Sequence, residues 1–370
     1  MRFQIDRTTI IFIIFLVILG IIFGANQFVQ NQPPLEITVA VDPLAEDWVQ
    51  AAAQAYNGSN PLIANGTTRV QVKIVVADDL DVWRGNPAWN SSNHPEAWIA
   101  SSSISIDYLP PNLPFRTLHG SLARTPLVWG GFANRVTWIT DSGTRPFDWA
   151  SVQEIAVAQS WANVGVTNDP SYVNMAIIWP SSSMAGVGAL MTAAADYSQT
   201  TALSTDVTGD SSFVAWFSPI NDSLQNSQRI GGNPAETMAS RGSSAADFAL
   251  LPELQWLLTV DNLTKNGDFA FSYPAYQFFL DFPMARWEDS QMTDNQLAAV
   301  ASFGEFLAAE SGQTLAIAHG LRPANREPDA SATLFTNAQA QGIQLTPDYG
   351  HLIEKPISHG LADWLIGLVE

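Results

Sequence analysis

The chain has 370 residues, of which 46% are hydrophobic and 14% charged, enough for roughly two folded domains and inconsistent with wholesale disorder. Its formal net charge of −19 makes a surface that repels nucleic acid and anionic lipid headgroups. It contains no cysteine, which excludes disulfides, thiolate metal sites, a cysteine nucleophile and a lipidated N-terminal cysteine.

The N-terminus reads MRFQIDRTTIIFIIFLVILGIIFGANQ, with an apolar run over Ile10–Phe23 that Thr8, Thr9, Gly24 and Ala25 extend. A membrane span needs about 17–25 residues and a signal-peptide core about 7–15. Arg2 and Arg7 precede the run and the next basic residue is Arg69, so the positive-inside bias places the bulk of the chain outside the cytoplasm. Residues 1–25 are therefore a signal-anchor or signal peptide, the length favouring an uncleaved transmembrane helix; a cleaved segment would leave a secreted protein. Residues 26–34 form a polar linker that ends in two prolines.

LEITVAV (Leu35–Val41) is the first predicted strand, and a helix follows it. Asp42 can cap that helix, Pro43 suits its first position, and Leu44, Trp48, Ala52, Ala55 and Tyr56 form its apolar stripe. RVQVKIVV (Arg69–Val76) alternates like a strand and EAWIA (Glu96–Ala100) is another. Such a βαβ rhythm predicts a parallel sheet with helices on its faces. TPLVWGGF (Thr125–Phe132) reads as a strand, FDWASVQEIA as a helix, NMAIIW (Asn174–Trp179) as a strand, and SMAGVGALMTAAADYS as a helix of small residues. FLDFPMARW (Phe279–Trp287) is a further strand, Met292–Ser311 one amphipathic helix, and ISHGLADWLIGLVE a last docking helix.

Motifs for nucleotide and metal chemistry are missing. There is no GxxxxGK[ST], no GxGxxG between strand and helix, no HExxH among the five histidines and no GxSxG. DDLD (Asp78–Asp81) lacks the glycine and terminal glutamate of a calcium loop and reads as a solvated turn. No cofactor and no metal are implied. What remains is a pattern seen twice, in which Ser101–Ser103 and Ser181–Ser183 each follow a strand-like apolar stretch and precede a new element. A helix start presents unpaired N–H groups and partial positive charge, and serine hydroxyls add neutral donors. In open α/β sheets ligands sit beyond the carboxyl ends of strands, so the pattern aims donors into a crevice. Each triplet also has a simple role as a helix cap. Trp83, Trp89, Trp98, Trp129 and Trp179 fall near strand ends, where they either pack a core or stack on an organic ligand.

At ITVAVDPLAEDWVQAAAQAYN, HPEAWIASSSISIDYL, GSLARTPLVWGGF, IIWPSSSMAGVGALMTAAADY, FLDFPMARW and LAIAHGLRPAN, taken in order, the chain resembles extracellular solute-binding proteins of the type II periplasmic-binding fold. Within them it is similar to the molybdate-type and von Willebrand A-associated substrate-binding domains. The resemblance implies an α/β, two-lobed fold closing about a hinge, with lobe I over 35–130 plus 279–370 and lobe II over 131–278. It implies ligand contacts from Ser102 and Ser103 in lobe I and from Ser182, Ser183 and Met184 in lobe II, with Arg124 and Tyr273 near the crossings. The first turn carries Pro43 and Leu44 where oxyanion binders hold serine or small polar residues, and Asp42 beside them repels an anion.

The function so implied is a non-enzymatic, membrane-tethered binder of a small polar or anionic solute. It would serve an ABC-type permease or a von Willebrand A-type surface partner. A second candidate role is a non-catalytic interaction or scaffold subunit of a surface complex. A third is an extracytoplasmic hydrolase, which would need Ser103 or Ser182 within reach of a histidine.

Overall fold

A computed structural model describes residues 32–369 apart from 65, 205–208, 225–226 and 356–359, together with 12 and 14–19. Of the expected membrane anchor only residues 12 and 14–19 are described, and among the described residues no helix is long and apolar enough to cross a membrane.

Lobe I starts with β1 (Leu35–Val41), α1 (Glu46–Gly58), β2 (Leu62–Ile63), β3 (Thr68–Val76), α2 (Asp79–Trp83), β4 (Ala97–Ile99), α3 (Ser103–Asp107) and β5 (Phe115–His119). The chain then crosses into lobe II through β6 (Ala123–Phe132). There follow α4 (Ala133–Ile139), α5 (Trp149–Ala158), α6 (Trp161–Val164), β7 (Met175–Ala176), α7 (Met184–Ser198), α8 (Ser211–Ser223), α9 (Ser227–Ile230) and α10 (Pro234–Arg241). Lobe II continues with β8 (Phe248–Pro252), α11 (Glu253–Leu263), β9 (Phe269–Ser272), β10 (Tyr276–Gln277) and β11 (Phe279–Leu280). The chain returns to lobe I with β12 (Met284–Trp287), α12 (Asp294–Ala308) and α13 (Glu310–Ala318), then runs through β13 (Arg322–Pro323), α14 (Thr333–Asn337), β14 (His351–Leu352) and α15 (Gly360–Val369).

The first sheet has the order β2-β3-β1-β4-β12-β5, with β1 parallel to β3 and β4 and β12 antiparallel to β4 and β5. Alternation along β1 sorts its side chains between two cores. Ile37, Val39 and Val41 lie in the main core with Trp48, Val49 and Ala52 of α1, and Ala40 lies in a second cluster with Trp89, Trp98, Phe115 and Trp287. Burial of Trp89, Trp98 and Trp129 answers the question of the tryptophans for those three: they are core. The second sheet has the order β11-β6-β8-β7, with β9 and β13 also on β6. Its central packing partner is α7, buried on all sides from Met184 to Ala195. The small residues there permit close approach, since a Cβ on Gly186 would lie 2.2 Å from the Ile178 carbonyl and one on Gly188 would lie 2.3 Å from the Phe278 ring.

Three expected elements are split. FLDFPMARW is two strands in two sheets, because Phe282 takes φ +38° and turns the chain between β11 on β6 and β12 on β4. The helix expected over Met292–Ser311 breaks at Ala309, which is extended at ψ 165°, into α12 and α13. NMAIIW pairs as a strand only at Met175 and Ala176. The segment Arg322–Val369, assigned by sequence to lobe I, pairs β13 with β6 and β14 with β10 and packs α15 on α7, all in lobe II.

Candidate functional site between the lobes

Where β5 passes into β6 and β11 into β12, the two crossings are tied together: the Leu122 N–H donates to the Phe282 carbonyl at 3.1 Å. The Phe282 N–H in turn donates to the Ser101 carbonyl at 3.2 Å, so the first serine turn is fastened to the hinge. Around that turn Ser101, Ser103 and Ser105 donate to carboxylates of the same chain. Ser101 donates from its N–H and hydroxyl to Asp79, the latter at 2.7 Å, and the Ser105 hydroxyl donates to Asp79 at 2.5 Å. Ser102 caps α3 through Ile104 N–H, and the Ser103 N–H donates to Asp281 Oδ1 at 2.8 Å. The helix start expected to receive a ligand therefore already holds a carboxylate of its own chain.

DDLD is not a solvated turn. Asp78 caps α2 through the N–H groups of Leu80 and Asp81, and Asp79 is fully buried. Burial pushes the Asp79 carboxyl up to about 7, against the pull of the Ser105 and Ser101 donors, and pushes Asp78 up to about 6. Asp42, also buried, is raised well above the carboxylate range by burial and then by the charges of Asp79 and Asp78. Its Oδ1 accepts from Leu44 N–H at 2.9 Å, whereas Oδ2 takes no donor.

The second serine turn is built differently. The Ser182 hydroxyl donates to the Trp179 carbonyl at 2.9 Å, Ser183 caps α7 by accepting from Ala185 N–H, and Met184 is fully buried. Arg84 of lobe I reaches across and donates to the Ser181 carbonyl at 2.8 Å. Ser182 is exposed, Ser103 half-buried, and among the described residues neither hydroxyl meets a histidine.

Arg124 and Tyr273, the remaining sequence candidates, come together in an ion network beneath the hinge. Fully buried Arg322 places Nε and Nη2 on Glu253 at 2.6 and 2.8 Å and Nη1 on Glu327 at 2.7 Å. Arg124 pairs with Glu327, and the Tyr273 hydroxyl donates to Glu253 at 2.5 Å. Burial, then the Glu253 charge, raises the Tyr273 phenol far out of the titrating range.

Two cavities open between the lobes. One, of about 280 Å³, is lined by Leu44, Asp47, Trp48 and His319 of lobe I and by Asn233, Leu254 and Gln255 of lobe II. Gln255 is 3% exposed; its Nε2 donates to the Gly232 carbonyl at 2.9 Å, and its Oε1 accepts nothing. The other, of about 140 Å³, lies between Leu80, Trp83, Arg84 and Tyr108 of lobe I and Asp363 and Ile366 of α15. Beside it Lys355 pairs with Asp107 of lobe I. Asp79, Gln255 and Asp281 were not singled out from sequence. Asp281 left a legible sign, a lone carboxylate inside the apolar run FLDFP.

The sequence matches no known protein family and no curated protein. Its backbone is similar to solved structures. The sulfate-binding protein SubI of Mycobacterium tuberculosis H37Rv matches at TM-score 0.55 and 15% identity, over 89% of this chain and 98% of that one. Iron-bound HitA of Pseudomonas aeruginosa matches at TM-score 0.56 and 13% identity, over 91% and 98%. A periplasmic thiamin binding protein matches at TM-score 0.54 and 13% identity, over 91% and 96%. These neighbours are binding proteins rather than enzymes. The chain has the mixed α/β, two-lobed fold of periplasmic solute-binding proteins.

Proposed function

We propose that this protein captures a small solute in the crevice between its lobes and presents it to a membrane permease. The observation that carries this is the 280 Å³ cavity with walls from both lobes, since a ligand touching both walls stabilises the closed arrangement by its differential affinity. Residues 8–25 tether the binder to the outer face of the membrane in this proposal, and a von Willebrand A-type protein is the alternative recipient. In this proposal Ser102, Ser103, Ser182, Ser183 and Met184 supply the polar rim, of which only Ser103 and Ser182 reach the surface as the lobes stand. Among known molybdate-type binders the guest is an oxyanion; here that narrower resemblance is weakened by Asp281 on the Ser103 N–H and by Asp42 at the first turn.

The test is a thermal-denaturation screen of the chain with molybdate, sulfate, phosphate, carboxylates, amino acids, sugars and amines. A ligand at a hundredfold over its Kd adds about 2.7 kcal/mol to the native state, which moves the midpoint by several degrees in a chain of this size. A shift produced by one chemical class supports the binder. Silence across the panel from well-folded protein moves the assignment to an interaction subunit, whose lobes are held together without a guest by contacts such as Arg84 to Ser181.

A further inference from the structure

Resting on the solute-binding role, we infer that the guest of the 280 Å³ cavity is a protonated amine with an apolar body, and that Gln255 and Asp47 receive its N–H donors. The first support is an unmet acceptor. Gln255 lines the cavity, is almost wholly buried, and has one amide end fixed on the Gly232 carbonyl while Oε1 has no donor. A buried carbonyl oxygen without a donor is costly, and a guest that donates to it removes that cost upon binding.

The second support is charge. Asp47 is the carboxylate among the lining residues of the cavity. The nearby cations are engaged: Arg322 with Glu253 and Glu327, Arg124 with Glu327, Lys355 with Asp107, and Arg84 with Asp81 and the Ser181 carbonyl. The cavity lining holds the Asp47 carboxylate and the His319 imidazole and no guanidinium or lysine ammonium, so an ammonium guest meets an opposite charge where an anion meets a like one. The third support is the apolar lining of Leu44, Leu254 and Leu258, which suits a hydrocarbon body.

Three probes with one hydrocarbon body separate the head groups: hexylammonium, hexyltrimethylammonium and hexanoate, titrated calorimetrically into the full chain. Hexylammonium is expected to bind saturably, and hexyltrimethylammonium, which has the charge but no N–H, about tenfold more weakly, as befits loss of a charge-assisted hydrogen bond. Hexanoate is expected not to bind. Gln255→Leu should lower hexylammonium affinity about tenfold and leave hexyltrimethylammonium affinity nearly unchanged, with a ligand-free melting point at or above the parent's because an orphaned acceptor is gone. Asp47→Asn should weaken both cations alike. Tighter binding of hexanoate or sulfate than of hexylammonium overturns the inference while leaving the solute-binding role intact. So does equal hexylammonium affinity in parent and folded Gln255→Leu. Absence of binding by these probes and by the whole thermal panel overturns both.

Discussion

The molecule buries two groups of carboxylates, and it neutralises them by different means. Glu253 and Glu327 beneath the hinge face Arg322 and Arg124, two acids against two guanidiniums. Asp42 and Asp79 at the edge of lobe I pair with no cation among the described residues; serine hydroxyls and an N–H group hold Asp79, and the Leu44 N–H holds Asp42. The first sets each carboxylate against a guanidinium. In the second, burial lifts Asp79 to about 7, so its charge changes within the range where proteins work.

The largest effect that sharpens this contrast is expected at the hinge. Arg322→Leu leaves Glu253 buried without its partner and should cost about 3–5 kcal/mol in denaturant unfolding, whereas Arg322→Met combined with Glu253→Leu should recover most of it. Equal costs for the single and double variants would show that the network is packing rather than charge.

Next comes the pH dependence of lobe I. The Asp79 carboxyl titrates near 7 in the folded chain against an ordinary 3.8, so the native state holds a proton that the unfolded state has lost. Stability from this carboxyl is therefore full below about pH 4 and falls as pH rises toward 7, by about 1.4 kcal/mol per pH unit. Asp79→Asn should gain on the parent with that slope, read from unfolding curves at pH 5, 6, 7 and 8; parallel curves would break the contrast.

The smallest effects distinguish the two serine turns. Ser183→Ala removes the cap of α7 and should cost about 1 kcal/mol at any pH. Ser101→Ala removes a donor to the Asp79 carboxylate, so its cost should be greater at pH 8 than at pH 5. An equal cost at both would mean that Asp79 stays protonated throughout.

The same contrast marks how much was readable from the residues alone. β1, α1 and α7 were legible because period, cap and small-residue pattern agree locally: Asp42 before Pro43, and Ser183 before MAGVGAL. FLDFPMARW was legible as extended chain but not as two strands, because the turn at Phe282 is imposed by two sheets that lie far apart in sequence. Asp79 was misread because DDLD has the composition of a surface turn, and only the packing of α2 against α3 and the Ser101 turn takes it out of water. Gln255 carried no local signal at all; its neighbours across the crevice come from residues 44–48 and 319. Arg124 and Tyr273 were expected near a crossing as ligand contacts; long-range partners decide their chemistry, and both are engaged by glutamates.

The return of the last segment onto lobe II has a mechanical consequence. Besides β6 and the turn at Phe282, the chain passes between the lobes a third time where α13 gives way to β13 on β6. Three passages resist torsion more than two, so the jaws should swing about one axis with little twist. Because β1 opens at Leu35 on one jaw and α15 closes at Val369 on the other, the separation of these two positions is a built-in ruler: dyes attached there would read the gape of the clamp directly.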